Sequence, residues 1–210
     1  MPTSKSVTVQ VKRALIGLGI AGSLVGIASA QPKISFAHCA ATDIQVSVPN
    51  STAFTLRNHR GELATERDTI IEPTLVYFGY TYCPDICPLD TTRNAETVDL
   101  LQADGHSVTP LFITIDPERD GVEEVVDYAL AQHDKMIGMT GSEADVAEAI
   151  RNYDVFALRQ DGDDEYYAIS HSAFTYLVLP DAGHMVTFTR DLTATELADK
   201  VACFVGDVQS

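Results

Sequence analysis

Residues 74–80 read "TLVYFGY", a near-continuous apolar run with β-branched and aromatic members that begins just after Pro73. A run of this kind predicts a strand buried on both faces. "VTPLFITID" at 108–116 predicts a second buried strand. Between them, "LDTTRNAETVDLLQA" at 89–103 has helical periodicity, and "GVEEVVDYALAQH" at 121–133 predicts an amphipathic helix. "MIGMTG" at 136–141 reads as a short strand and turn. Ser142 then starts "SEADVAEAIRNY", with a cap residue followed by acids in the first turn, as helix N-termini prefer. Upstream, "AFTLRNHRGEL" alternates around an "NHRG" turn and predicts a hairpin. Downstream, "AFTYLVL" (173–179) and "HMVTFT" (184–189) predict a second hairpin around "PDAG", and "TATELADKVACFV" (193–205) a closing helix. Strands alternating with helices, then a hairpin and a helix, predict an α/β sandwich with a central mixed sheet flanked by helices.

The first thirty residues follow another pattern. Lys5, Lys12 and Arg13 precede "ALIGLGIAGSLVGIASA", which ends in Ala28, Ser29 and Ala30, and no acid occurs before Asp43. Residues 1–30 therefore read as a signal peptide cut after Ala30, with a retained N-terminal anchor as the alternative. Residues 31–45 read as a tether and 46–210 as one domain, large enough to fold without disulfides. Both readings place the domain outside the cytoplasm: periplasmic or extracytoplasmic, or anchored to the inner membrane and facing the periplasm. The whole chain has 14 basic and 30 acidic residues; beyond the leader, 11 basic residues face those 30 acids. Such a surface excludes nucleic acid as a partner and leaves the membrane reachable only through the N-terminal segment.

The chain has four cysteines, and two of them fall in "YCPDICP" at 82–88, just past the first buried strand. In open α/β sheets, sites form at that end of a strand. If the segment is helical, Cys83 and Cys87 share one face with Cβ atoms about 5–6 Å apart. They could then close a disulfide, exchange disulfides or clamp a soft ion. A helix N-terminus favours thiolate, and Pro84 and Pro88 stiffen the loop. Thiolates with an imidazole select Cu(I) or zinc, but zinc wants a fourth donor. Among the six histidines, His171 is the best third ligand. It precedes a predicted strand that would run beside the central one. Residues 161–167, "DGDDEYY", read as a solvated acidic loop, because the calcium-loop glycine and terminal glutamate are not at the required offsets.

Three stretches in order, "TLVYFGYTYCPDICPLD", "LFITIDPERD" and "ISHSAFTYLVLPDAG", resemble the Sco/SenC family over roughly residues 50–205. The resemblance implies a thioredoxin-like fold and a metallochaperone that carries copper to the binuclear copper centre of a respiratory oxidase. It implies transient partners: the copper-accepting oxidase subunit and other copper chaperones. The family's copper ligands fall here on Cys83, Cys87 and His171. Asp116 of "DPERD" is expected beside the site or facing a partner. Ser170 stands where the family carries an aspartate before the histidine. That missing acid is expected to alter the orientation of His171 or weaken copper binding.

The same two sulfurs also support an alternative, a thiol–disulfide oxidoreductase that reduces the cysteines of the apo-oxidase subunit, with Cys83 and Cys87 as the redox pair. A peroxiredoxin-type peroxidase is disfavoured, because the Thr and Arg that accompany its single activated cysteine are not evident. A purely structural Cys83–Cys87 bond would close too short a loop to stabilise much. Cys39 and Cys203, at opposite ends of the domain, are expected to pair as a structural disulfide.

Overall fold

The computed structural model describes Cys39 and residues 45–47, 52–162, 166–180 and 185–209. The predicted leader, most of the tether, His38, His184 and the centre of the acidic loop lie outside the described residues. An edge strand, β1 (Gln45–Ser47), precedes the predicted hairpin, which forms as β2 (Thr55–Arg57) and β3 (Leu63–Thr65). A single turn, α1 (Glu66–Thr69), follows, with Thr65 and Asp68 capping each other reciprocally. The alternating section is β4 (Thr74–Gly79), α2 (Ile86–Ala103), β5 (Thr109–Thr114), α3 (Val122–Gln132), β6 (Ile137–Met139) and α4 (Glu143–Asn152). Ser142 caps α4 through the Asp145 backbone, as its position implied. A small ribbon, β7 (Ala157–Arg159) with β8 (Ile169–His171), leads into β9 (Thr175–Val178), β10 (Met185–Phe188) and α5 (Ala194–Gln209).

The main sheet has the order β1-β10-β9-β4-β5-β6. β4, β5 and β6 are parallel, while β9 runs antiparallel to β4, so the sheet is mixed as expected. Every residue of β4 is buried, as its unbroken apolar run predicted. The two faces divide by the two-residue strand period. Leu75 and Leu177 pack with α5 residues such as Val201 and Phe204, and Phe112 stacks 4.6 Å from Tyr128 of α3. On the opposite face, Phe78 meets Tyr153 and Tyr176 at 5.0 and 6.1 Å.

Two differences from the sequence reading matter for the site. Helix α2 starts at Ile86, three residues early, so Cys87 and Pro88 sit in its first turn. A proline is tolerated there because its missing N–H would have had no intrahelical partner. The β7–β8 ribbon was not predicted. Each strand is only three residues long, and the polar, acidic sequence between them masked the pairing. Cys39 and Cys203 are joined by a disulfide, with Cα atoms 5.8 Å apart, which ties the segment before β1 to α5. Among the described residues, no helix is long and apolar enough to cross a membrane.

Candidate metal centre

Strand β4 ends at Gly79, and the reason is visible one turn further on. A Cβ at that position would lie 3.0 Å from the Cys87 sulfur and from the rings of Tyr77 and Phe112. Glycine keeps that space for the sulfur. The chain then turns, with the Cys83 N–H donating to the Tyr80 carbonyl at 3.1 Å. Asp120, fully buried, pins this turn. It accepts from the Thr81 N–H at 2.9 Å, from the Thr81 hydroxyl at 2.6 Å and from the Thr114 hydroxyl at 2.6 Å. Burial nevertheless pushes its carboxyl above the usual range.

Cys83 lies before α2, not on it, so the two sulfurs do not meet as neighbours on one helix face. Asp85 occupies the N-cap but makes no side-chain capping bond. The Cys83 sulfur accepts from the Cys87 N–H instead, at 3.3 Å, and so takes the place of a capping oxygen. A sulfur held this way gains from being charged.

His171 arrives from the other side of the sheet. Because β9 is antiparallel to β4, with Thr175 opposite Tyr77, the residues before β9 return to the C-terminal end of β4. His171 Nδ1 donates to the Ser172 carbonyl at 2.9 Å, which leaves Nε2 facing Cys87 Sγ at 3.3 Å. Tyr77 and Tyr80 stand edge-on to the imidazole, with centroids 6.3 and 6.0 Å away. The ligand atoms of Cys83, Cys87 and His171 all lie within 4.8 Å of one another. Among the described residues, this is the group of His, Cys and acidic side chains arranged to hold a metal ion.

The two thiols are unequal. Cys83 is half-buried and held down to about 3, first by the hydrogen bond from the Cys87 thiol and then by His171 and nearby backbone N–H groups, against the cost of burial. Cys87 is buried and moves the other way, because it shares its proton with the Cys83 sulfur and is cut off from water. The two shifts run in opposite directions, as they do when two sulfurs compete for one proton.

The remaining sequence-selected residues fall as follows. Asp116 is 4 % exposed and turned inward. It pairs with Arg119 Nε at 2.6 Å and accepts from the Tyr167 hydroxyl at 2.6 Å. The Arg119 guanidinium also lies over the Tyr167 and Tyr82 rings, at 3.5 and 4.8 Å from their centroids. Ser170 is exposed on β8, and the imidazole donates its Nδ1 hydrogen bond to the Ser172 carbonyl rather than to the residue before it. Sequence reasoning passed over Asp120, Gly79, Tyr77 and Tyr80. Asp120 is the second aspartate of the "DPERD" stretch, and that repetition was the available signal.

A pair of thiols and an imidazole at the C-terminal end of the central strand of such a sandwich define a thioredoxin-like protein with a metal or redox site. The SCO1/SenC family model matches residues 43–206, so the chain belongs to that family. It is 40% identical over 175 residues to Protein SenC of Rhodobacter capsulatus, covering 83% of this chain and 79% of that one. It is 34% identical over 149 residues to the mitochondrial SCO1 homolog 1 of Arabidopsis thaliana, covering 70% of this chain but only 45% of that relative's length. The crystal structure of Arabidopsis thaliana ScoI with copper bound superposes with a TM-score of 0.70 at 32% identity, covering 78% of this chain and 99% of that one.

Proposed function

We propose that this protein is a copper metallochaperone: it holds one copper ion on Cys83, Cys87 and His171 and delivers it to the binuclear copper centre of a respiratory oxidase. The observation that carries the reading is the donor set. Two sulfurs and one imidazole nitrogen within 4.8 Å suit a soft, three-coordinate ion. Structural zinc sites are almost always closed by a fourth protein ligand. The copper-bound state of the Arabidopsis thaliana relative supports the same cargo. The oxidase destination rests on the family resemblance. Delivery proceeds by ligand exchange across a transient interface with the acceptor subunit or with another copper chaperone. The half-buried Cys83 offers the accessible sulfur, while Cys87 and His171 hold the ion from behind. Export and a periplasmic or membrane-anchored location are part of the proposal, supported by the leader pattern and by a disulfide that an oxidising compartment would maintain. The test is a Cu(I) titration of the reduced protein against a competing chelator. One equivalent should be retained by the wild type and none by Cys83→Ser or Cys87→Ser; full retention in both variants overturns the reading.

A second reading, thiol–disulfide exchange with the apo-oxidase subunit, is favoured by the charge on Cys83. A half-buried thiol held towards thiolate beside a buried one held towards its protonated form is the arrangement of an attacking and a resolving sulfur. His171→Ala separates the two, since copper retention falls while dithiol exchange survives. Undetectable exchange with a target dithiol in the wild type would sink this second reading alone.

A further inference from the structure

Residues 116–120 form a tight turn in which the Arg119 and Asp120 N–H groups both donate to the Asp116 carbonyl, at 3.2 and 2.9 Å. Two adjacent side chains of that turn take hold of two adjacent residues of the loop that leads to Cys83. Asp120 accepts from the Thr81 N–H and from the Thr81 hydroxyl. Arg119 lies over the Tyr82 ring, with its guanidinium carbon 4.8 Å from the centroid. The next residue is Cys83. The two holds differ in kind. Asp120 is fully buried, and breaking a buried, charge-assisted hydrogen bond is costly. Tyr82 is 57 % exposed, and a cation–π contact at an exposed site is weak. Arg119 itself is fixed in place. Its Nε donates to Asp116 at 2.6 Å, its Nη1 donates to the Tyr167 carbonyl at 3.1 Å, and its guanidinium lies 3.5 Å from the Tyr167 centroid. Beyond Cys83, Pro84, Asp85 and Ile86 are exposed.

We infer that Arg119 is a positioning residue that latches the Cys83 loop through Tyr82, with Thr81 as the fixed end of the hinge. With the ring on the guanidinium, the Cys83 N–H stays on the Tyr80 carbonyl at 3.1 Å and the Cys83 sulfur stays on the Cys87 N–H at 3.3 Å. When a partner lifts the ring, the chain swings from Thr81 and carries Cys83 away from Cys87 and His171, which remain on α2 and β8. The opening is confined to the few residues between Thr81 and α2, so it breaks no pairing of the sheet. Asp116 thereby acts on Cys83 at two removes, through Arg119 and Tyr82, although its carboxylate is turned inward.

The inference rests on the reading of Cys83 as the sulfur that partners reach, but not on copper as the cargo. The test reads amide hydrogen exchange by NMR in the metal-free protein with Cys83 and Cys87 reduced, as the ratio of the Cys83 rate to the Thr81 rate. Opening the latch exposes the first amide and leaves the second on Asp120, whereas general loosening of the fold moves both. Tyr82→Leu keeps apolar bulk without the aromatic face and should raise the ratio about two- to fivefold, the scale of an exposed cation–π contact. Tyr82→Phe keeps the face and should hold the wild-type ratio. In an Arg119→Gln background the Tyr82→Leu effect should vanish, because the cation is gone. In the copper-loaded protein, Tyr82→Leu should release Cu(I) to a competing chelator faster by the same factor. A wild-type ratio in Tyr82→Leu overturns the latch. So does a Tyr82→Leu effect that survives in the Arg119→Gln background, and so does faster Cys83 exchange with unchanged Cu(I) release. If the wild type retains no Cu(I) while the exchange ratios separate as expected, the copper reading fails and the latch stands.

Discussion

The chain has four cysteines, and its two pairs meet opposite fates. Cys39 and Cys203 are 164 residues apart and bonded, inside an apolar cluster that includes Leu75, Val186 and Phe204. Cys83 and Cys87 are four apart and free. Proximity does not separate them, since both pairs come within reach. Surroundings do. Among the described residues, the first pair is set in apolar packing, where the bond is its use. The second has a backbone N–H on one sulfur, an imidazole on the other, and polar side chains behind. A bond closing so short a loop would add little to stability, whereas the long loop constrains the unfolded chain strongly.

The largest expected effect breaks the comparison at its functional half. Cys87→Ser should reduce Cu(I) retention from one equivalent to none, and Cys203→Ser should leave it at one, by titration of the reduced proteins. The reverse result would assign the two pairs the wrong way round. The next effect breaks the structural half. Replacing Cys39 and Cys203 together by alanine should destabilise the fold by about 2–5 kcal/mol. Urea denaturation of the metal-free proteins measures it.

A third prediction concerns charge. Because the folded thiol of Cys83 is held down to about 3, its rate of alkylation by iodoacetamide should be nearly flat between pH 5 and pH 8. An ordinary thiol gains about tenfold per pH unit over that range, since only the thiolate reacts. The same shift has a signed effect on stability. A depressed acid stabilises the fold in full above the unfolded thiol's value of about 8.5, and that contribution is lost as pH falls towards 3. The stability gap between wild type and Cys83→Ser should therefore shrink steadily on acidification. A gap that widens as pH falls would show that Cys83 is not the charged partner.

The sheet could be read from the chain because its central strands are continuous apolar runs and its helices carry their caps in sequence. β4, β5, α3 and α4 formed where pattern placed them. The start of α2 could not be read that way. Pro84 and Pro88 looked like loop residues, and only the structure shows that Pro88 sits in a first turn where its missing N–H costs nothing. The ligand trio was within reach of sequence because a strand beside β4 had to return His171 to the cysteine loop. Asp90, Arg93 and Tyr77 were not. A buried polar side chain on a helix looks like a surface residue until its partners are placed, and those partners lie on β4 and β9.

The smallest effect belongs to Ser170, where sequence and structure differ most. An aspartate before the histidine looked like a hydrogen-bond partner whose absence should loosen the imidazole. The side chain at 170 is exposed, on a ribbon where Leu158 is its cross-strand neighbour. The imidazole donates its hydrogen bond to the Ser172 carbonyl, which no substitution at 170 removes. Ser170→Asp therefore adds only a solvent-screened charge near the site, worth at most about 0.5 kcal/mol as surface substitutions usually are. Cu(I) affinity should change by less than about threefold, and the change should fade as salt is raised. A tenfold or larger change that persists at high salt would mean that residue 170 acts on the imidazole itself. The free pair would then owe its third ligand to a side chain rather than to the backbone of the turn that follows it.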